Sequence, residues 1–170
     1  GVGKFISSDF KDLRQKTAYF VQDKDGYWHY YDEIGWPVKG STTVDGYDMY
    51  FHLGTRRQAK GEFVDIKGKV YYFDKDNGRK VKDTTFDFDG KTYVADQSGV
   101  ISIKSHSTQR NRYINDSEGN WYYVNDKGYL LLGAHTIDNV KVYFGTNGVQ
   151  YKGHFAPDNH YYDKDNGALV

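Results

Sequence analysis

The apolar residues of this chain recur as short aromatic-rich stretches, and each stretch follows a two-residue turn sequence. The turn pairs are Asp25-Gly26, Asp45-Gly46, Lys67-Gly68, Asp89-Gly90, Glu118-Gly119, Asp138-Asn139 and Asp158-Asn159. Gly and Asx residues reach the positive φ values that tight hairpin turns need, so such a pair between apolar runs predicts a β-hairpin. The pattern therefore predicts a series of hairpin repeats of about 20 residues each.

Each predicted hairpin carries a pair of adjacent bulky residues after its turn. The fourth position after the turn Gly or Asn holds Tyr30, Tyr50, Tyr72, Val94, Tyr123, Tyr143 and, with a two-residue deletion, Tyr161. Adjacent residues of a strand point to opposite faces, so each repeat offers one ring to the interior and another facing elsewhere. A unit this short cannot bury its apolar face alone. We therefore expect an all-β fold, a β-solenoid of stacked short hairpins.

A longer period of 93 residues lies on top of the short one, since residues 23–53 match 116–146 with Trp28 and Trp121 among the identical pairs. This period predicts two supermodules. The predicted parts are a first supermodule at 1–98, with a long loop at 1–18 and four hairpins, and a truncated second one at 99–170, with a long loop at 100–112 and three hairpins. Within the first loop, residues 9–14 are compatible with one helical turn.

Composition narrows the class of partner. The chain has 170 residues with 17 Tyr, 10 Phe and 3 Trp, so much of its buried surface must be aromatic. The 23 basic and 23 acidic residues are scattered, which argues against nucleic acid and against a polybasic membrane anchor. No apolar run approaches the roughly 18 residues of a transmembrane helix. No signal peptide is visible at residues 1–20, so an exported parent protein would contain this chain as an interior piece.

Catalytic and metal-binding motifs are not recognisable. There is no Cys, the six His are dispersed, and the acidic residues fall mostly in turns that already explain them. The acidic sequence at 74–78, repeated at 163–167, fails the EF-hand spacing, because its Gly comes fifth and Thr85 stands where the bidentate Glu belongs. An Asx-rich turn is the simpler interpretation, and calcium stays an open alternative. We expect no cofactor, no metal site and no enzyme activity in this segment.

Several of these motifs resemble a known repeat. Asn120-Trp121-Tyr122-Tyr123, the stretches 133–138 and 147–153, and Gln58-Ala59-Lys60-Gly61 in the first copy closely resemble the repeat of glucan-binding domains attached to glucansucrases. The resemblance covers most of residues 19–170. Related repeats occur in choline-binding cell-wall modules and in the carbohydrate-binding tails of large clostridial toxins.

The resemblance implies a non-catalytic segment of a secreted or surface-held protein of a Gram-positive bacterium. Such a segment holds an α-glucan such as dextran beside other domains of a larger chain. In that family a pocket combines an aromatic ring, which stacks on a glucosyl unit, with Gln and Lys side chains that bind its hydroxyls. Mapped here, the ligand-binding residues are Tyr113 or Tyr122 with Thr136, Gln150 and Lys152 in the second copy, and Tyr19 or Phe20 with Thr42, Gln58 and Lys60 in the first.

The first copy departs from this pattern, because Phe20 stands where Tyr113 does and His29 where Tyr122 does. Two alternatives remain open beside glucan binding. A wall-polymer module that binds choline needs several rings around the quaternary ammonium, and the scarcity of Trp favours sugar instead. A structural spacer without a ligand also explains periodic aromatics, since rings are needed to fill the repeats.

Overall fold

The computed structural model describes residues 18–170, and the regular elements in that part of the chain are all β-strands. The all-β prediction is thereby confirmed for these residues, whereas the helical turn proposed at 9–14 and the loop at 1–17 lie outside them. The strands are β1 (Tyr19–Gln22), β2 (Trp28–Tyr31), β3 (Gly40–Val44), β4 (Tyr47–Phe51), β5 (Glu62–Ile66), β6 (Lys69–Phe73), β7 (Thr84–Phe88), β8 (Lys91–Ala95), β9 (Ile101–Lys104), β10 (Arg112–Asn115), β11 (Trp121–Val124), β12 (Tyr129–Leu131), β13 (Gly133–Ile137), β14 (Val140–Phe144), β15 (His154–Phe155) and β16 (Tyr161–Tyr162).

Each of the seven turn pairs lies between two paired strands. Asp45 and Gly46 have φ values of 52° and 83°, and Asp138 and Asn139 have 51° and 66°. Two successive positive φ values define the two-residue turn whose twist matches that of antiparallel strands. The sequence signal and the hairpins therefore agree for a clear conformational reason.

Five hairpins form separate two-stranded sheets, and the other strands build one six-stranded sheet in the order β10-β11-β12-β9-β8-β7. Strand β9 corrects the prediction of a loop over 100–112, because it pairs with both β8 and β12. Ile101 and Ile103 are buried while Ser102 is half-buried and Lys104 exposed. This alternation makes a half-buried strand without any aromatic doublet.

The chain divides into two compact units. One comprises the described residues up to Glu62 together with Phe73–Lys80, and the other comprises Phe63–Tyr72 and Val81–Val170. The supermodule boundary at residues 98 and 99 stays a prediction, since a boundary between sequence repeats need not coincide with one between compact units.

Aromatic doublets fill the interior of both units. Tyr50 and Phe51 are 8% and 0% exposed, and Tyr143 and Phe144 are 1% and 0% exposed. The second ring of these doublets, expected to face elsewhere, is therefore covered as well. In the larger unit Tyr72 belongs to a core cluster with aliphatic residues of strands β6, β8 and β9. Packing accounts for most of the periodic aromatics.

Candidate functional site

Two equivalent places in the chain bring a Trp, a Gln and a Lys together. The amide N of Gln58 donates to the carbonyl of Trp28 at 2.7 Å, and that of Gln150 donates to Trp121 at the same distance. Each Gln also forms a bridge with the strand before it, at Phe51 and Phe144. The segment after each hairpin is thus fixed to the Trp of the preceding hairpin.

This backbone contact carries a lysine to each indole. The Nζ atom of Lys60 lies 5.9 Å from the ring centroid of Trp28, and that of Lys152 lies 5.5 Å from Trp121. A cation within about 6 Å of an aromatic face is attracted by the ring quadrupole. The ammonium groups therefore remain beside the indoles, where they can also donate hydrogen bonds to a ligand.

The two glutamine side chains are buried, with 6% and 7% of Gln58 and Gln150 exposed. The Nε2 atom of Gln58 donates to the Sδ atom of Met49 at 3.4 Å, and that of Gln150 donates to the carbonyl of Asn166 at 3.4 Å. A Cβ added at Gly78 or Gly167 would approach these Nε2 atoms to 2.2 and 2.3 Å. Each carboxamide is therefore clamped by the glycine of a following turn.

We call the surface groove beside Trp28 the first-copy cleft. It has a volume of about 370 Å³. Its lining residues are Phe20, Trp28, Val44, Asp45, Tyr47, Met49, Gln58, Lys60, Asn77 and Arg79. Three rings thus face this groove. One face of the Tyr47 ring is already covered, because the guanidinium of Arg79 lies 3.5 Å from its centroid.

The second-copy cleft, beside Trp121, has a volume of about 410 Å³. Its lining residues are Gly119, Asn120, Trp121, Gly145, Thr146, Asn147, Val149, Gln150, Tyr151, Lys152 and His154. Trp121 is 37% exposed, which leaves part of the indole open to solvent. The rings of Trp121 and Tyr151 and the imidazole of His154 line this groove, and no acidic residue does.

Of the site residues predicted for the first copy, Phe20, Gln58 and Lys60 line one groove. Tyr19 lies elsewhere, stacked on Tyr31 at a centroid distance of 5.6 Å. Thr42 lines a different depression, and its hydroxyl donates to the carbonyl of Gly40 at 3.3 Å. The structure therefore brings together three of the five nominated residues.

Of the residues predicted for the second copy, only Gln150 and Lys152 line the same groove. Tyr113 is half-buried against Tyr123, with ring centroids 5.1 Å apart. Tyr122 and Thr136 line two other cavities. Ligand contact by any of these side chains stays a prediction.

The two tryptophans beside the Gln and Lys pairs are not among the residues predicted for the site. Trp28 and Trp121 provide the rings beside the Gln and Lys pairs, whereas the resemblance directed attention to neighbouring tyrosines. A usable signal was present, because both Trp residues are identical at the 93-residue offset. Their backbone partners, by contrast, are visible only in the fold.

In each copy an aspartate is hydrogen-bonded to the residue that follows the tryptophan. Nε2 of His29 lies 2.7 Å from Asp23, and the Tyr122 hydroxyl donates to the equivalent Asp116 at 2.9 Å. The hydrogen bond with His29 is the main reason that the pKa of Asp23 is lowered. Burial, then the bond to Asp116, raises the pKa of Tyr122 to about 12. The first copy has His29 at the position of Tyr122, and it thus keeps a hydrogen bond to the equivalent aspartate.

Within residues 18–170, no helix is long and apolar enough to cross a membrane. In the same part of the chain, no group of three or more His, Cys, Asp or Glu side chains is arranged to hold a metal ion.

Curated proteins that are similar to this chain include two streptococcal glucosyltransferases. Glucosyltransferase-S of Streptococcus mutans serotype c is 32% identical over 89% of this chain, and glucosyltransferase-I of Streptococcus downei is 31% identical over 97%. The chain spans only 9% and 12% of the length of these two curated relatives.

Two kinds of protein are among the solved structures that match this chain. An alternansucrase in complex with isomaltononaose is 32% identical, with a TM-score of 0.43, over 90% of this chain and 12% of the other. Choline binding protein F from Streptococcus pneumoniae is 23% identical, with a TM-score of 0.46, over 91% and 48%.

A family model supplies the classification. The model of the choline-binding repeat matches residues 38–86 and 131–170, which together are more than half of the chain. This match confirms the repeat family that the sequence motifs indicated, and the chain belongs to the choline-binding repeat family.

Proposed function

We propose that this chain is a non-catalytic carbohydrate-binding segment whose ligand is a dextran-like α-glucan. In this proposal it is part of a secreted or surface-held glucansucrase, and its hairpins stack as a β-solenoid. Similarity to two glucosyltransferases at 31–32% identity supports the parent protein. The segment would keep a glucan chain close to a separate catalytic domain.

The observation that carries the proposal is the repeated combination of an accessible indole, an ammonium group and a clamped carboxamide. A pyranose has an apolar C–H face and a rim of hydroxyls, so its site needs an aromatic plane and a few polar groups. Trp121 with Lys152 and Trp28 with Lys60 offer this pairing twice. Two weak sites on one polymer raise its avidity, because the second contact is made by an already tethered chain.

Charge favours a neutral hydroxylated ligand over a quaternary ammonium. Lys60 and Arg79 line the first-copy cleft against a single carboxylate, that of Asp45. Lys152 lines the second-copy cleft, and no carboxylate does. A choline group would have to enter beside these cations, and Arg79 already covers one face of Tyr47. Ammonium and guanidinium groups instead supply donors for sugar hydroxyls.

The test is a double substitution, Trp28→Ala with Trp121→Ala, assayed by electrophoresis through dextran-containing gels. Loss of a partly buried aromatic contact costs about 1–2 kcal/mol, so binding at each cleft should weaken about 5- to 30-fold and retention should fall accordingly. Trp36→Ala is the control, because Trp36 is 67% exposed and lines neither groove. Unchanged retention by the folded double variant would contradict the proposal.

A ligand panel separates the alternative functions. Dextran, choline and peptidoglycan are presented to the same unmodified chain. Retention by dextran supports the proposal, and retention by choline alone supports a wall-anchoring module instead. A chain that binds none of the three, and that releases no heat with isomaltooligosaccharides, is a structural spacer.

A further inference from the structure

A third cavity, with a volume of about 560 Å³, lies in the larger unit on the other side of β11 from the second-copy cleft. Trp121 and Tyr122 are consecutive in this strand, so their side chains leave it on opposite faces. Trp121 lines the second-copy cleft, whereas Tyr122 lines this cavity. We call it the Tyr122 cavity. Its walls come from the six-stranded sheet, the turn residues Gly90 and Asp116, residues 105–107 and Asn147, which also lines the edge of the second-copy cleft.

Apolar side chains form the floor of the Tyr122 cavity. Ile103 is 3% exposed, and Leu130 lies opposite it in the β9–β12 pair. A Cβ added at Gly148 would lie 3.2 Å from the Tyr122 ring and 3.6 Å from both Ile103 and Leu130. The three side chains thus converge beneath one glycine turn. That turn is held in place by the Tyr93 hydroxyl, which donates to the carbonyl of Thr146 at 2.6 Å.

The Tyr122 ring is fixed before any ligand arrives. Its hydroxyl donates to the Oδ2 atom of Asp116 at 2.9 Å, and the ring is half-buried. The side-chain amide of Asn120 donates to the same oxygen at 3.1 Å. The backbone amides of Glu118 and Asn120 donate to Oδ1 at 3.0 and 2.9 Å. The Asp116 carboxylate thus already accepts four hydrogen bonds. Other side chains must therefore supply the polar groups that a ligand would meet in the cavity.

The rim is hydroxyl-, amide- and ammonium-bearing. Ser105 and Asn115 supply groups that both donate and accept hydrogen bonds. The Thr92 hydroxyl already donates to Asp87 at 2.8 Å and remains an acceptor, and Lys91 and Lys104 supply donors only. Neither lysine has an ion-pair partner within residues 18–170. An apolar floor with mixed donors and acceptors above it matches the two surfaces of a pyranose ring. Hydrogen bonds from ammonium groups to hydroxyls gain strength from the charge.

We infer that the Tyr122 cavity is a separate saccharide site, for a neutral pyranose oligosaccharide of the class proposed for the two clefts. The choice of an α-glucan as the ligand rests on the proposed function, whereas the site itself rests on its own walls. The hairpin β10–β11 then presents sugar sites on both of its faces. One glucan chain, or two neighbouring chains, can be held at this hairpin, which raises avidity without a further repeat.

The experiment is an NMR titration of the full chain with isomaltotriose, in the unmodified protein and in the Trp28→Ala/Trp121→Ala variant. Amide signals of Gly90 and Ser105 and the ring signals of His106 report the Tyr122 cavity, and the Trp121 indole signal of the unmodified protein reports the cleft. We expect saturable shifts at Gly90, Ser105 and His106 in both proteins. Lys91→Ala should weaken those shifts several-fold and leave the Trp121 indole titration unchanged.

The outcomes separate this inference from the proposed function. Shifts at the Trp121 indole without shifts at Gly90, Ser105 and His106 overturn the inference and leave the clefts as sugar sites. Shifts around the Tyr122 cavity alone support the inference and overturn the clefts. A chain that responds at neither place contradicts both.

Discussion

The two clefts share a tryptophan, a lysine and a buried glutamine, yet they open on different sides of the indole. Beside Trp28 the groove extends toward Tyr47 and Arg79, and the equivalent positions of the second copy hold Val140 and Ala168. Beside Trp121 the groove extends instead toward Asn120 and Val149. The first-copy counterparts of those two residues are Tyr27 and Arg57, whose guanidinium lies 4.0 Å from the Tyr27 ring centroid.

The hairpin backbone fixes the position of the tryptophan, lysine and glutamine in both copies, and the surface side chains determine where the groove beside the indole opens. The amide of each Gln reaches the carbonyl of the preceding Trp at 2.7 Å in both copies, so backbone pairing sets the platform. Exposed side chains then determine which side of the platform is accessible. In the first copy, Arg57 covers the Tyr27 ring and Arg79 covers the Tyr47 ring, which limits access to the surface around Trp28. In the second copy, the small or aliphatic residues Val140 and Ala168 stand at the positions of Tyr47 and Arg79.

The largest expected effect tests whether the clamp on the glutamines is equal in both copies. Gly78→Ala and Gly167→Ala should each lower the free energy of unfolding by about 3 kcal/mol, measured by urea titration. Both residues have φ values of 71°, and the new Cβ would collide with the carboxamide. A cost in one copy only would break the equivalence.

The matched controls isolate backbone strain from collision. Gly46 and Gly90 also have positive φ values, 83° and 76°, but no heavy atom lies within 4 Å of an added Cβ. Gly46→Ala in the smaller unit and Gly90→Ala in the larger one should therefore cost only about 1–2 kcal/mol. Costs as large as those at Gly78 and Gly167 would show that the clamp contributes nothing.

The next effect compares the two indoles by single substitutions. Trp121→Ala should weaken isomaltotriose binding about tenfold at its own cleft, because Tyr151 is the one remaining Phe, Tyr or Trp among its lining residues. Trp28→Ala should have a smaller effect, since Phe20 and Tyr47 still line the first-copy cleft. Calorimetric titration of each variant gives the comparison. Equal losses would mean that the additional rings make no contact with sugar.

A smaller effect is expected from freeing Tyr47. Arg79→Ala gives the first copy the residue of the second copy, Ala168, and removes the guanidinium from the ring. In a Trp121→Ala background, isomaltotriose binding at the first-copy cleft should change by about threefold, the value of one exposed cation–ring contact. The same variant is titrated with choline. Binding of choline without isomaltotriose would show that this groove prefers a quaternary ammonium.

The smallest effect concerns the aspartates. The pKa of Asp23 is lowered mainly by His29, whereas that of Asp116 is lowered mainly by the backbone amide of Asn120. Such a carboxylate stabilises the fold above its unfolded-state pKa of about 3.9, and this contribution is lost as the pH falls through the lower folded-state value.

The variants His29→Ala and Tyr122→Phe test this difference. The first should raise the pKa of Asp23 clearly, and the second should raise that of Asp116 less, as measured by carboxyl ¹³C NMR. The aspartate of the other copy is the internal control in each variant. A larger shift at Asp116 than at Asp23 would reverse the assignment of causes.

Local sequence chemistry accounts for most of the fold. Pairs such as Asp45-Gly46 specify their own turn, because each residue tolerates the positive φ that a hairpin needs. Strand β9 has no aromatic doublet and therefore falls outside the repeat pattern, although Ile101 and Ile103 alternate with polar residues in the usual way. Its pairing with β12 depends on residues far along the chain.

The candidate site was predictable only in part. Each Gln-x-Lys motif lies beside an indole, since Lys60 is near Trp28 and Lys152 is near Trp121, and ligand contact at these places stays a prediction. Sequence gave no indication that Gln58 and Gln150 would be buried, since that depends on glycines of a later turn. The motifs also placed Tyr122 and Gln150 in one site, whereas the two residues line different cavities.

The contact between a glutamine and a later glycine has a consequence for how such arrays change over generations. Gln150 belongs to the segment after one hairpin, and Gly167 belongs to the turn after the next. A gene duplication or deletion whose ends fall between them separates the amide from its cover. Viable rearrangements should therefore copy or remove stretches that keep both partners, and the unit of inheritance is longer than one hairpin.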